Sequence, residues 1–70
     1  MKRKTVESSM IRSMGYDPKT KTLEIEFTHG GIWQYFEVPK KVWNEFSRAD
    51  SLGRFWHGHI KDGYEEARVK

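Results

Sequence analysis

Arg54, His57, His59 and Lys61 fall within eight residues, interleaved with Phe55, Trp56 and Gly58. Cations among aromatic rings suit single-stranded nucleic acid, because the charges meet phosphates and the rings stack bases. With the imidazoles neutral, Arg54 and Lys61 carry the charge of this run. The same residues also fit the solvated face of a short helix. A second basic cluster, Lys2, Arg3 and Lys4, lies at the start of the chain, where three charges could touch phosphate or simply be hydrated.

Other chemistry is poorly supported. His57-x-His59 suggests a metal pair with His29 as a third ligand, but residues two apart on a helix point about 200° apart, and no second ligand pair lies nearby. Ser8, Ser9, Ser13, Ser47 and Ser51 offer hydroxyls without a nucleophile elbow, a phosphate loop or a Glu-x-x-His pair, so turn and capping roles explain them better. No pair of carboxylates has an evident reason for divergent acidity. We expect no enzyme, no cofactor, no metal and no small-molecule substrate.

Composition narrows the setting. Seventy residues without cysteine exclude disulfides and thiolate-held zinc, so packing must hold the fold, and ten aromatic residues are available for it. The net charge of +3 comes from thirteen Lys and Arg against ten Asp and Glu; Lys2, Arg3 and Lys4 account for all of the excess. No apolar run is long enough for a membrane span or a signal core, which makes the cytoplasm the expected compartment.

The elements that position these residues are signalled in turn. Residues 1–8 show no periodicity and read as a flexible basic leader. In Met10–Tyr16, Met10, Met14 and Tyr16 share a strand face interrupted by Arg12. Asp17-Pro18-Lys19-Thr20 is type I turn chemistry. In Thr22–Phe27, Leu23, Ile25 and Phe27 alternate with Thr22, Glu24 and Glu26, predicting one buried and one wet face. Thr28-His29-Gly30 reads as a three-residue loop with Gly30 left-handed.

That loop length pairs Phe27 with Gly31, Ile25 with Trp33 and Leu23 with Tyr35, which puts both aromatics on the core face and Gln34 beside Glu24 and Glu26. A two-residue loop would instead bury Ile32, Gln34 and Phe36 and expose Trp33 and Tyr35. The first is preferred because it leaves no amide buried without a partner. Trp33 and Tyr35 could stack bases if exposed, but carboxylates on that outer face would repel phosphate.

Pro39 suits a first helical position, and Val42, Phe46 and Ala49 with Trp43 make an apolar stripe over a helix from Pro39 to Ala49. Ser51 can cap a shorter helix burying Leu52, Phe55, Trp56 and Ile60. Residues 65–70 are charged and read as a frayed tail. The expected fold is α+β, a three-stranded antiparallel meander with two short C-terminal helices packed on one face, in a single domain over residues 9–64.

Gly15-Tyr16-Asp17-Pro18, Leu23-x-Ile25-x-Phe27, Gly30, the run Trp33 to Phe36, Val38-Pro39 and Ser51-x-Gly53-Arg54-Phe55-Trp56, followed by Ile60 and Tyr64, together resemble the KTSC domain. That family is named for a short module at the C-terminus of some lysyl-tRNA synthetases and also occurs as free-standing bacterial and phage proteins. The resemblance implies RNA as a partner through that attachment. Trp33 stands where the family motif usually has tyrosine, and His57, His59, Lys61, Asp62 and Gly63 replace an asparagine-rich, arginine-bearing end. The expected function is a non-catalytic binding module for RNA or single-stranded nucleic acid, using Arg54, Trp56, His57, His59 and Lys61 with help from Lys2, Arg3 and Lys4. The alternative is a protein-interaction or oligomer-forming module that uses aromatics such as Phe36 or Trp56.

Overall fold

Strict alternation in Thr22–Phe27 makes a strand whose partners on either side are fixed by short turns. The computed structural model describes residues 1–70. Five strands, β1 (Lys4–Thr5), β2 (Ile11–Asp17), β3 (Thr22–Phe27), β4 (Gly31–Tyr35) and β5 (Glu66–Arg68), form one sheet in sequential order, every pair antiparallel. Between β4 and β5 the chain crosses one face of the sheet as α1 (Lys40–Ser47) and α2 (Leu52–Phe55), the latter continuing into a π-helical turn over Trp56–Ile60.

The β3–β4 register follows the three-residue loop: Phe27 lies opposite Gly31, Ile25 opposite Trp33 and Leu23 opposite Tyr35. The left-handed residue is Gly31 (φ 81°), not Gly30. A Cβ on Gly31 would lie 2.8 Å from the Arg68 guanidinium and 2.9 Å from the Lys70 carbonyl oxygen, so the returning C-terminus needs glycine there.

Further expectations are corrected. The meander has five strands, because the segments read as leader and frayed tail each pair with the sheet. Their pairing is backbone-driven: Val6 N donates to the Arg12 carbonyl, Phe36 N to that of Glu65 and Val69 N to that of Ile32. The first strand is out of phase with its simple alternation, because a β-bulge between Ile11 and Ser13 makes Arg12 an extra residue. Ile11 therefore enters the core, while Met10 is 41% exposed. Pro39 precedes α1 in extended conformation (ψ 147°), and its carbonyl accepts from Val42 N and Trp43 N.

The core is Ile11, Met14, Leu23, Ile25, Tyr35, Val38, Phe46 and Ile60, between sheet and helices. Aromatic packing closes one end, where Tyr16 stacks on Trp43 at 5.6 Å and Phe46 on Phe55 at 5.4 Å. The opposite face of the sheet was expected to be wet, yet Glu24 is only 7% exposed. The N-terminal arm crosses there, and a Cβ on Gly15 would fall 2.2 Å from the Lys2 carbonyl oxygen. Arg3 pairs with Glu24 and donates from Nε to Ser13 Oγ at 3.0 Å; Gln34 Nε2 donates to Glu24 at 2.8 Å, and Ser13 Oγ donates to Glu26 at 2.8 Å. Burial alone would raise the Glu24 pKa, but hydrogen bonds from Gln34 and Arg3, with the guanidinium charge, bring it below the ordinary carboxylate value.

Candidate binding grooves

Phe27 is the last residue of β3, and its cross-strand neighbour, Gly31, has no side chain to cover it. The ring is left open at the end of the sheet, where the π turn brings Trp56 against it edge-on, centroids 5.0 Å apart. Trp56 Nε1 donates to the Tyr35 hydroxyl at 3.1 Å, and Trp33 Nε1 donates to the Gly30 carbonyl at 2.8 Å. Both indoles are thereby fixed. Around them lies an open groove of about 490 Å³ whose walls include Met10, His29, Lys61, Asp62 and Glu66.

The π turn positions the cation. Lys61 N donates to the Trp56 carbonyl at 2.8 Å, a bond spanning five residues. Residues five apart therefore stack, and Lys61 Nζ sits 5.8 Å from the centre of the Trp56 ring. In an α-helix, Lys61 would lie about 140° round from Trp56. Burial raises the pKa of Tyr35 above its ordinary value, the Trp56 hydrogen bond opposes the shift and Glu66 adds to it. The phenol is neutral at physiological pH.

The expected site residues are thus sorted into different places. Trp56 and Lys61 share the first groove with Trp33 and Tyr35, the pair assigned to the core. Tyr35 is 1% exposed, as that assignment requires, whereas Trp33 is half-buried and forms part of the wall. Arg54 and His57 line a second, smaller groove of about 410 Å³ with Ser8, Ser9, Ser51 and Gly58. His59 instead packs on Phe55, ring centres 4.5 Å apart. Lys2, Arg3 and Lys4 run beside β2, with Arg3 engaged by Glu24 and Ser13. No three His, Asp or Glu side chains gather as a metal-ligating group.

Sequence reasoning missed Phe27, His29, Met10, Asp62 and Glu66 as groove residues. One signal was available for Phe27, since a glycine opposite an aromatic at a strand end leaves a ring face open. Met10 reaches the groove through the β2 bulge and His29 from the β3–β4 loop, while Asp62 and Glu66 depend on the π turn and on the pairing of β5. Chemically, the groove presents fixed rings, one ammonium and two carboxylates, which suits recognition of a flat or apolar group.

A family model for the KTSC domain matches residues 7–64. An uncharacterized protein of Stutzerimonas stutzeri is 46% identical over 61 residues, covering 87% of this chain and 86% of that protein. A lysine–tRNA ligase of Nostoc sp. is 41% identical over 59 residues, covering 84% of this chain but 10% of the ligase. In three dimensions, the crystal structure of a KTSC domain protein from Yersinia pestis matches with a TM-score of 0.97 at 40% identity, over 99% of this chain and 97% of that one. No helix is long and apolar enough to cross a membrane.

Proposed function

The chain belongs to the KTSC family, and we propose that it is a non-catalytic binding module that takes single-stranded RNA in its aromatic groove. The observation that carries this reading is the arrangement around Trp56, whose indole is pinned by Tyr35 and Phe27 with the Lys61 ammonium over its ring at 5.8 Å from the centre. A fixed ring next to a cation is what a stacked base and its phosphate require. The family also occurs within a lysine–tRNA ligase, a protein whose substrate is an RNA. Such a ligand sets the module in the cytoplasm. Arg3 is engaged with Glu24, so the basic leader contributes at most Lys2 and Lys4.

Asp62 and Glu66 on the groove wall would repel phosphate, which favours a second reading, in which the same rings hold an apolar segment of a partner protein. Salt separates the two. Titration of the chain with mixed short RNAs at two salt concentrations is expected to show affinity falling with salt, with Lys61→Gln lowering the slope by about 0.7 for one lost single-strand phosphate contact. No RNA binding at low salt would remove the first reading, and salt-insensitive binding of a peptide would establish the second.

A further inference from the structure

Met10 lines both grooves. It projects from the start of the bulged strand, 41% exposed, and a Cβ on Gly53 would lie 3.5 Å from its sulfur, so its side chain rests against the start of α2. The two depressions are therefore neighbours, separated by one flexible thioether. Their chemistry differs. The first holds the rings and two carboxylates; the second is lined by no carboxylate and contains Arg54, His57 and three serines. The one ion pair in the chain joins Arg3 to Glu24, which leaves the Arg54 guanidinium without a carboxylate partner.

Two of the serines are held by the backbone as acceptors. Ser8 Oγ accepts from Met10 N at 3.2 Å and Ile11 N at 3.3 Å, and Ser51 Oγ accepts from Arg54 N at 3.3 Å. With their oxygens engaged by backbone amides, both hydroxyl hydrogens are free to point into the groove. Gly58 adds open space, since a Cβ there would meet nothing within 4 Å.

We propose that the second groove is a phosphate subsite continuous with the aromatic groove, so that the ligand unit is at least a dinucleotide: one base lies against Trp56, and the phosphate linking it to the next nucleotide crosses Met10 to reach Arg54, His57 and the Ser8 and Ser51 hydroxyls. This rests on the RNA reading of the aromatic groove and adds length and polarity to it. Sequence spacing alone would have placed Arg54 and Lys61 on one continuous basic surface. Instead, Lys61 serves the outer phosphate of the nucleotide stacked on Trp56, and Arg54 the phosphate that links it to the next.

The test compares adenosine with the dinucleoside monophosphate ApA, followed by tryptophan fluorescence, on the parent chain, Arg54→Gln and Lys61→Gln. Arg54 is exposed, so its variant is expected to keep the parent circular dichroism spectrum. The parent should bind ApA about tenfold or more tighter than adenosine, as a charge-assisted hydrogen bond supplies. Arg54→Gln should abolish that gain while leaving adenosine affinity unchanged. Equal affinity for adenosine and ApA, or a gain that survives Arg54→Gln and disappears in Lys61→Gln, overturns the subsite while leaving RNA binding intact. Failure of both ligands, and of longer RNA, to bind at low salt overturns the RNA reading and this inference with it.

Discussion

Replacing Phe46 with alanine removes the ring on which the closed end of the core is built. Phe46 is 0% exposed, stacked on Phe55 with centroids 5.4 Å apart and edge-on to Trp43 at 6.4 Å. Trp43 is itself held against Tyr16 at 5.6 Å, so its neighbours are poorly placed to collapse into the space. A buried Phe→Ala change costs about 3–5 kcal/mol, and a chain of this size retains about 3–5 kcal/mol in all. Phe46→Ala should therefore be half unfolded or worse at room temperature. Phe27→Ala is the control, since its ring is half-buried opposite Gly31, and its loss should cost about 1–2 kcal/mol while the chain stays folded. Urea denaturation followed by near-ultraviolet circular dichroism measures both. With a slope of about 1 kcal/mol per molar urea, a midpoint shift below about 1 M for Phe46→Ala would refute the reasoning. So would Phe27→Ala proving the more damaging change, because the core would then lie at the opposite end of the sheet.

Three further outcomes are expected. Gly15→Ala sets a Cβ 2.2 Å from the Lys2 carbonyl oxygen. Because that contact is with backbone, the arm should lift, and hydrogen exchange at the Val6 amide should accelerate at least about tenfold; unchanged protection would refute the close crossing. The carboxyl of Glu24 titrates below its ordinary range in the fold, so its contribution is complete above the unfolded pKa of about 4.3 and is lost as pH falls through the lower folded value. Glu24→Gln should cost about 1.5–3 kcal/mol at neutral pH and flatten the acid limb of a Tm-against-pH curve, whereas parallel curves for parent and variant would exclude this network. Lys21 is left-handed (φ 57°), so Lys21→Gly exchanges a backbone cost of about 1–2 kcal/mol for a glycine entropy cost of about 0.5–1 kcal/mol; Tm should rise by a few degrees, and a fall would contradict this.

Legibility followed the range of the interactions involved. Leu23, Ile25, Trp33 and Tyr35 could be placed from sequence because one loop length and a period of two determine their faces. Ser51 was identifiable as a cap because capping is local, and Ser51 Oγ does accept from Arg54 N. The burial of Ile11 in place of Met10 leaves no mark in the sequence, because a bulge adds a residue without changing composition. Lys4–Thr5 and Glu66–Arg68 have no apolar rhythm; they become strands through backbone bonds to segments far away in the chain. Lys61 stands out in the sequence by its charge, but its place over the Trp56 ring depends on a hydrogen bond spanning five residues, which leaves no pattern in the sequence. The candidate site was therefore legible as a set of residues and not as two grooves.

The short β5 has a consequence for the behaviour of the chain at high concentration. An open sheet ends in rows of unpaired amides and carbonyls that can recruit another molecule. Gly31–Tyr35, with Ile32 on one face and Trp33 and Tyr35 on the other, carries no charge and has the composition of a self-associating segment. Its outer side is capped by Glu66-Ala67-Arg68, with Val69 N and Lys70 N both bonded to the Ile32 carbonyl. At the other margin, β1 offers only Lys4 and Thr5. The charged tail thus acts as a gatekeeper against aggregation, allowing a sheet this rich in aromatic residues to be crowded, or joined to a larger protein, without polymerising through its own strands.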